Sequence, residues 1–303
     1  MPQKMPAISL VAVPGRRRAT LDVARELDKR GFAAIYSPSM FGNVALCEAL
    51  ALVTERIGLA TSIAPIYMRT VLDYAQSAAF IHEISGGRFK LGIGVSHAPH
   101  HVRIGVTPGK PLGDIRAFVE RYRAQEGLGA LPPVIMATLR QQMIKLAGEI
   151  GDGMVFANGA RSHMQASLSA LPAEKRAGAD FFIGNMIPTC ISDDIEAAKA
   201  TNRKSLISYA KLPNYRNYWK EAGYVEEMEA IEKAIAEKRD ADIPKYLSDK
   251  WLADCTLFGS AARVREQLEG WYAAGIKTPI IVPSSAAGNQ MKAIEEAIAT
   301  FTG

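Results

Sequence analysis

The feature that most constrains this chain is a repeated alternation of short apolar runs with stretches of helical period. Residues 8–13, ended by Pro14-Gly15, read as a strand. Residues 20–30 then place Leu21, Ala24 and Leu27 at helical spacing, and Gly31 closes that helix at a left-handed position. Further strands are predicted at 33–36, 57–61, 89–95, 134–137, 153–157, 181–185 and 278–282. Helices are predicted at 44–54, 71–82 with Thr70 as cap, 112–124, 139–149, 162–170, 260–274 and 291–301. Early in the chain the strands start roughly two dozen residues apart, and such regular alternation favours parallel pairing because each crossover needs a helix. Eight strands, each with its helix, predict a (β/α)8 TIM barrel, and 303 residues suit one such domain spanning 1–303. The alternation breaks once, at a predicted helical insertion between strands seven and eight, about residues 189–259. There Tyr209, Tyr215, Tyr218, Trp219 and Tyr224 cluster, and 225–239 forms a charged amphipathic helix. The insertion either packs on the outside or forms a lid or pocket wall on the loop side.

Composition narrows the function. The net charge of +5 comes from scattered basic residues. The one triplet, Arg16-Arg17-Arg18, reads as a solvated turn, so no nucleic-acid partner is expected. Cys47, Cys190 and Cys255 stand far apart with no paired spacing and read as buried, reduced thiols. No apolar run is long enough to span a bilayer, and residues 1–6 lack the apolar core of a signal peptide. A soluble, cytoplasmic protein without a membrane partner is expected.

In a barrel the strand carboxyl ends carry the chemistry. The most informative strand is 89–95. It is apolar on both faces, contains Gly92 and Gly94 where a neighbouring group must approach the backbone, and runs into Val95-Ser96-His97. The amides of Gly94, Val95 and Ser96 can cradle an anion. His97 either exchanges a proton near the reacting centre or only hydrogen-bonds within its loop. Ser62 and Ile63 follow strand three, Thr138 follows strand five, and Asn158, Gly159 and Ala160 follow strand six. Gly159, just before the helix expected at 162, suggests a second phosphate cradle. His97, His100 and His101 are close in sequence, but no nearby Cys or carboxylate completes a zinc set, so no metal is expected. Arg88 precedes its strand and reads as structural; Arg69 stays open.

Three stretches carry a family resemblance. Ser85-Gly86-Gly87-Arg88-Phe89 with Leu91-Gly92-Ile93-Gly94-Val95 resembles the signature of the luciferase-like superfamily, the bacterial-luciferase-type flavin and deazaflavin oxidoreductases. Residues 56–65 and 132–155 agree with it. The resemblance covers the first half of the chain well and the remainder loosely. It implies a barrel that positions a flavin-type ring and a small-molecule substrate while the cofactor carries the hydride chemistry. Residues 56–65 and 137–152 look more like the deazaflavin branch. Coenzyme F420 is therefore the expected cofactor, transferring hydride to or from a small organic substrate. The alternative is FMN, in a monooxygenase that uses oxygen and a separate reductase. A non-catalytic flavin-binding barrel is a second alternative. A sugar-phosphate isomerase or aldolase would want a Lys or paired carboxylates at the strand ends.

The resemblance also implies residue roles. Ser62–Ile63 matches a bulge with a non-proline cis peptide behind the ring. Residues 94–97 match a segment contacting the ring and phosphate region, and Asn158, Gly159 and Ala160 match the place that holds the side-chain phosphate. The chain departs from the pattern with Ser96 where relatives often have glycine and His97 where they have Glu. Ser37, Pro38 and Ser39 stand where deazaflavin relatives often have Asp or His. Relatives are commonly dimers, so a homodimer is expected.

Overall fold

A computed structural model describes residues 5–302. Of the amino-terminal stretch read for a signal peptide, residues 1–4 lie outside that range. The chain has the expected (β/α)8 TIM-barrel fold. Its elements, in order, are β1 (Ala7–Ser9), α1 (Arg17–Lys29), β2 (Ala34–Ser37), α2 (Asn43–Val53), β3 (Gly58–Thr61), β4 (Ala64–Pro65), α3 (Val71–Ile84) and β5 (Phe89–Gly94). Then come α4 (Ala98–Ile104), α5 (Pro111–Arg123), β6 (Val134–Ala137), α6 (Gln141–Ile150), β7 (Gly153–Ala157), α7 (Met164–Leu168), α8 (Ala173–Ala177) and β8 (Phe182–Ile191). The last part holds α9 (Ile195–Ala210), α10 (Pro213–Glu221), α11 (Val225–Ala236), α12 (Ile243–Tyr246), α13 (Asp249–Cys255), β9 (Leu257–Gly259), α14 (Ala261–Ala273), β10 (Thr278–Ser284) and α15 (Gln290–Thr302). The chain divides into two compact units: one runs up to Val155 and includes Ala170–Gly184; the other comprises Phe156–Ser169 and everything from Asn185 onward.

In the first unit β1, β2, β3, β5, β6 and β7 pair in that order, all parallel, with Ile35 opposite Leu59 and Ile93 opposite Met136. These strands are mostly apolar, and Ile8, Ile35, Phe89, Ile93 and Met136 are wholly buried. The turns entering β3 and β5 are pinned by charge. Asp28 accepts from the backbone N–H groups of Glu55, Arg56 and Ile57 at 2.7–3.1 Å. Burial raises its pKa, but those three bonds and the Arg56 charge outweigh burial and hold it low. Arg88 donates to the carbonyls of Ser85, Ile57 and Thr54 at 2.7–2.8 Å, which bears out its structural reading. Thr70 caps α3 by accepting from Asp73 N, and Gly31 takes its left-handed φ of 80° after α1.

The second unit contains the insertion, α9 to α13. Its aromatic residues are core: Tyr218, Trp219, Trp251 and Trp271 are at most 1% exposed, and Trp219 packs edge-on to Trp251 at 4.8 Å. β9 pairs with β8 in parallel, Cys190 opposite Phe258. The three cysteines are free and buried.

Some elements differ from the sequence reading. Residues 98–104, read as loop, are the helix α4, with Pro99 in the first turn and Gly105 left-handed just past the end. β1 stops at Ser9 rather than reaching 13, and β8 continues to Ile191. β4 and β9, of two and three residues, are too short to show a period. Among the described residues no helix is long and apolar enough to cross a membrane.

Candidate functional site

In the first unit the expected residues gather around the carboxyl ends of β2, β3, β5 and β6. Thr61, the last residue of β3, locks onto β5: its hydroxyl donates to Gly92 O at 2.7 Å and accepts from Gly92 N at 2.9 Å. The next peptide, Ser62–Ile63, is cis, as the resemblance implied. Asn43, at the start of α2, donates through Nδ2 to Ile63 O at 3.1 Å and to Ser37 O at 3.3 Å, tying the end of β2 to this turn. Ser62 N also donates to Ser37 O at 2.8 Å.

The two glycines of β5 serve this arrangement. A Cβ at Gly92 would lie 1.9 Å from Thr61 O. One at Gly94 would lie 2.9 Å from Ala137 Cβ and 3.1–3.2 Å from the Ile63 side chain. The groups that approach the backbone are therefore protein groups. Packing against Ile63 and Ala137 by itself favours glycine at position 94.

After β5 the chain turns through Ser96 in a left-handed conformation, φ 64°. A side chain in that conformation costs energy, and glycine would be free of that cost. His97 follows as the residue before α4. Burial chiefly lowers its pKa, with the charges of His101 and His100 adding to the effect, so its ring is neutral near pH 7. His101 donates Nε2–H to Val95 O at 2.5 Å. The Tyr67 ring stands edge-on to His101 at 5.4 Å, and the Tyr67 hydroxyl donates to Asp114 at 2.5 Å. Asp114 also accepts from Gly109 N at 2.8 Å. Asp114, Tyr67 and His101 thus fasten the segment from Val95 to Gly109. His100 and His101 belong to a helix rather than a loop, and among the described residues no group of three or more His, Cys, Asp or Glu side chains is set to hold a metal.

One buried hydroxyl at a strand end, Thr138 Oγ1, lacks a partner, whereas Ser37 Oγ lies against the Cys47 thiol. Buried polar groups are normally satisfied, so such orphans await a ligand or water.

In the second unit the loop after β7 is held from two sides. Asn158, left-handed at φ 55°, donates its N–H to Met186 O on β8 at 3.0 Å, while its carbonyl accepts from Trp219 Nε1 at 3.1 Å. Gly159 N donates to Asn185 Oδ1 at 3.3 Å, and Ala160 N to the Tyr218 hydroxyl at 3.0 Å. Asp254, on α13, accepts from both Ser162 N (2.9 Å) and Ser162 Oγ (2.6 Å), and from the Tyr224 hydroxyl (2.9 Å). The insertion is thus the buttress of this loop through α10 and α13. The phosphate cradle expected at Asn158, Gly159 and Ala160 needs correction. All three amides are committed within the protein, and a carboxylate already bonds to the amide at the helix start. The polar atoms left over are side-chain ones, Asn158 Nδ2 and Asn185 Nδ2, both buried and unpartnered.

Sequence reasoning missed Asn43, Tyr67, Asp114 and Asn185. Only Asn185 left a signal: it is the single strongly polar residue within the apolar run 181–187. The orphaned groups are neutral hydrogen-bonding atoms, which fit a ligand rich in carbonyl, ring-nitrogen and hydroxyl groups such as a flavin or deazaflavin. The loop after β7, in contrast, offers no free amide cradle at 158–160 for a phosphate.

Comparison with known proteins identifies the family. A family model described as luciferase-like monooxygenase matches residues 6–278. The chain is 26% identical to Rv3520c of Mycobacterium tuberculosis, which carries a provisional name as a coenzyme F420-dependent oxidoreductase; the match covers 91% of this chain and 93% of that one. Its fold resembles the coenzyme F420-dependent tetrahydromethanopterin reductase of Methanopyrus kandleri, with a TM-score of 0.77, 17% identity and 97% of each chain covered. It also resembles the FMN-bound oxygenating constituent of 3,6-diketocamphane monooxygenase of Pseudomonas putida, with a TM-score of 0.57, 15% identity and 92% of each chain covered. The chain belongs to the luciferase-like monooxygenase family.

Proposed function

We propose that this chain is an oxidoreductase that holds coenzyme F420 for hydride transfer to or from a small organic substrate. The observation that carries the reading is the buried, unpartnered Thr138 Oγ1 just after β6, in the unit whose strand ends also carry Ser62, Gly94 and Ser96. The match to Rv3520c supports F420 over FMN. When bound, the cofactor supplies the hydride-accepting or hydride-donating carbon. The protein's share is positioning and proton handling. Ser62, Ile63, Gly94, Val95, Ser96 and Thr138 provide a contact surface that Asn43 and Asp114 keep rigid. His97, neutral near pH 7, takes up the proton that leaves a substrate hydroxyl as its hydride departs. Asn158, Gly159 and Ala160 contribute through the Asn158 side chain rather than through amides.

The test is a side-by-side binding titration of the purified protein with F420 and with FMN, followed by ring fluorescence. Tight F420 binding supports the reading. Tight FMN binding alone replaces it with an oxygen-using monooxygenase and a separate reductase, and binding of neither refutes both. Cofactor binding without turnover over a panel of alcohols and carbonyl compounds favours a non-catalytic binder. A homodimer belongs to the same proposal, supported by exposed Leu52 on α2 and Leu72 and Phe80 on α3. Sedimentation at micromolar concentration tests it, and a monomer there refutes it.

A further inference from the structure

Two buried carboxamide nitrogens, one on β8 and one in the loop after β7, have no hydrogen-bond partner in the protein. Asn185 is fully buried on β8. Its orientation is set by its partner: Gly159 N–H needs an acceptor, so Oδ1 faces Gly159 and Nδ2 faces away. That NH2 group has no hydrogen-bond partner. Asn158 is 4% exposed, and its backbone is clamped between Met186 O and Trp219 Nε1, which holds the left-handed conformation and so the direction of the side chain. The Tyr209 hydroxyl reaches this side chain, yet Nδ2 still has no partner. The two residues are linked directly, because Asn185 Oδ1 bonds the residue after Asn158. A Cβ at Gly159 would lie 3.0 Å from Met164 Cε and in ordinary contact with Asn185 Oδ1 at 3.4 Å.

Desolvating a donor group without a partner is costly, and each such group in a native fold calls for a partner such as a bound ligand. The donors are neutral. Four residues after Asn158 the Asp254 carboxylate already bonds Ser162 N and Oγ, so negative charge is present at the helix start and further anionic charge nearby is disfavoured. We infer that Asn158 and Asn185 form a two-donor clamp that binds uncharged oxygen acceptors, carbonyl or hydroxyl, on the ring-and-ribityl part of the cofactor and not its phosphate. The assignment rests on the cofactor reading above and adds Asn185 as a binding residue.

The experiment uses the full chain and four ligands: F420 and FMN, and their phosphate-free forms, the deazaflavin riboside and riboflavin. Asn185→Asp keeps the acceptor for Gly159 N while replacing the free donor with an oxygen. Asn158→Gly keeps the left-handed backbone while deleting the side chain. Each variant should bind the cofactor that wild type prefers about tenfold more weakly, the affinity equivalent of one neutral hydrogen bond. The same factor should appear with the phosphate-free form, and the thermal midpoint of Asn158→Gly without ligand should stay at the wild-type value. Unchanged affinity in both variants overturns the clamp while leaving the cofactor reading standing. A loss seen only with phosphate-bearing ligands assigns the acceptor as phosphate and overturns the neutral-oxygen assignment. Wild-type protein that binds none of the four overturns both readings together.

Discussion

The packing around Gly94 yields a prediction that separates a structural glycine from a ligand-binding one. Adding a single methyl group, Gly94→Ala, places Cβ 2.9 Å from Ala137 Cβ and 3.1 and 3.2 Å from two carbons of Ile63. Carbon atoms rest at about 3.5–4.0 Å, so the closest contact is roughly 0.6 Å too short. Ala137 is a strand residue with no rotamer to escape into, whereas Ile63 can swing its side chain. Overpacking of this kind costs about 1–3 kcal/mol. With a urea slope of about 3 kcal/mol/M, a loss of about 2 kcal/mol lowers the unfolding midpoint by about 0.7 M. Removing the immovable partner should relieve the clash: Gly94→Ala combined with Ala137→Gly should cost about 1 kcal/mol less than the sum of the two single changes in a double-mutant cycle. Urea unfolding followed by tryptophan fluorescence measures all four proteins. A Gly94→Ala protein as stable as wild type, but with weakened cofactor affinity, would mean that the strand is bare for the ligand's sake, and the packing argument would be refuted.

Other expectations concern the remaining contacts. Asp254→Ala removes the acceptor of Ser162 N, Ser162 Oγ and the Tyr224 hydroxyl, all part-buried or buried; it should destabilise the protein by about 3 kcal/mol, read as a urea midpoint, and an unchanged midpoint would show that the loop does not depend on α13. Asn43→Leu leaves Ile63 O without its donor while Ser37 O keeps Ser62 N, so a cost of about 1–2 kcal/mol is expected, and a neutral result would remove Asn43 as a tie between β2 and β3. The lowered pKa of His97 has a definite sign in stability. The unfolded chain protonates first, near the ordinary value of about 6.5, so this group's contribution is present above that pH and is lost as pH falls towards the folded value. Urea midpoints at pH 7.5 and 5.5 should therefore converge in His97→Gln relative to wild type, and an identical pH dependence in both proteins would dispose of the claim.

The sequence by itself determined the barrel. Apolar runs at a steady spacing, separated by helices with readable caps at Thr70, Ser260 and Gly31, leave parallel pairing as the economical solution, because a helical crossover returns the chain to the same sheet edge. It also determined which loops follow strands and thus that residues 62–63, 94–97, 138 and 158–160 were worth attention. These properties are local or periodic, so they survive in one dimension. Which atoms in those loops stay available to a ligand was decided only by the tertiary structure. The amides at 158–160 look free in sequence, yet Met186, Asn185 and Tyr218 consume them from 26 to 58 residues away. The mirror case is Asn185, a lone polar residue in an apolar strand, which gains meaning only when Gly159 claims its oxygen and leaves its nitrogen without a partner. Likewise the aromatic cluster of the insertion reads equally as lid or exterior, and its indole and phenol tips turn out to brace the loop after β7. Hydrogen-bond donors and acceptors are spent pairwise across long separations, and no local pattern records which of them remain.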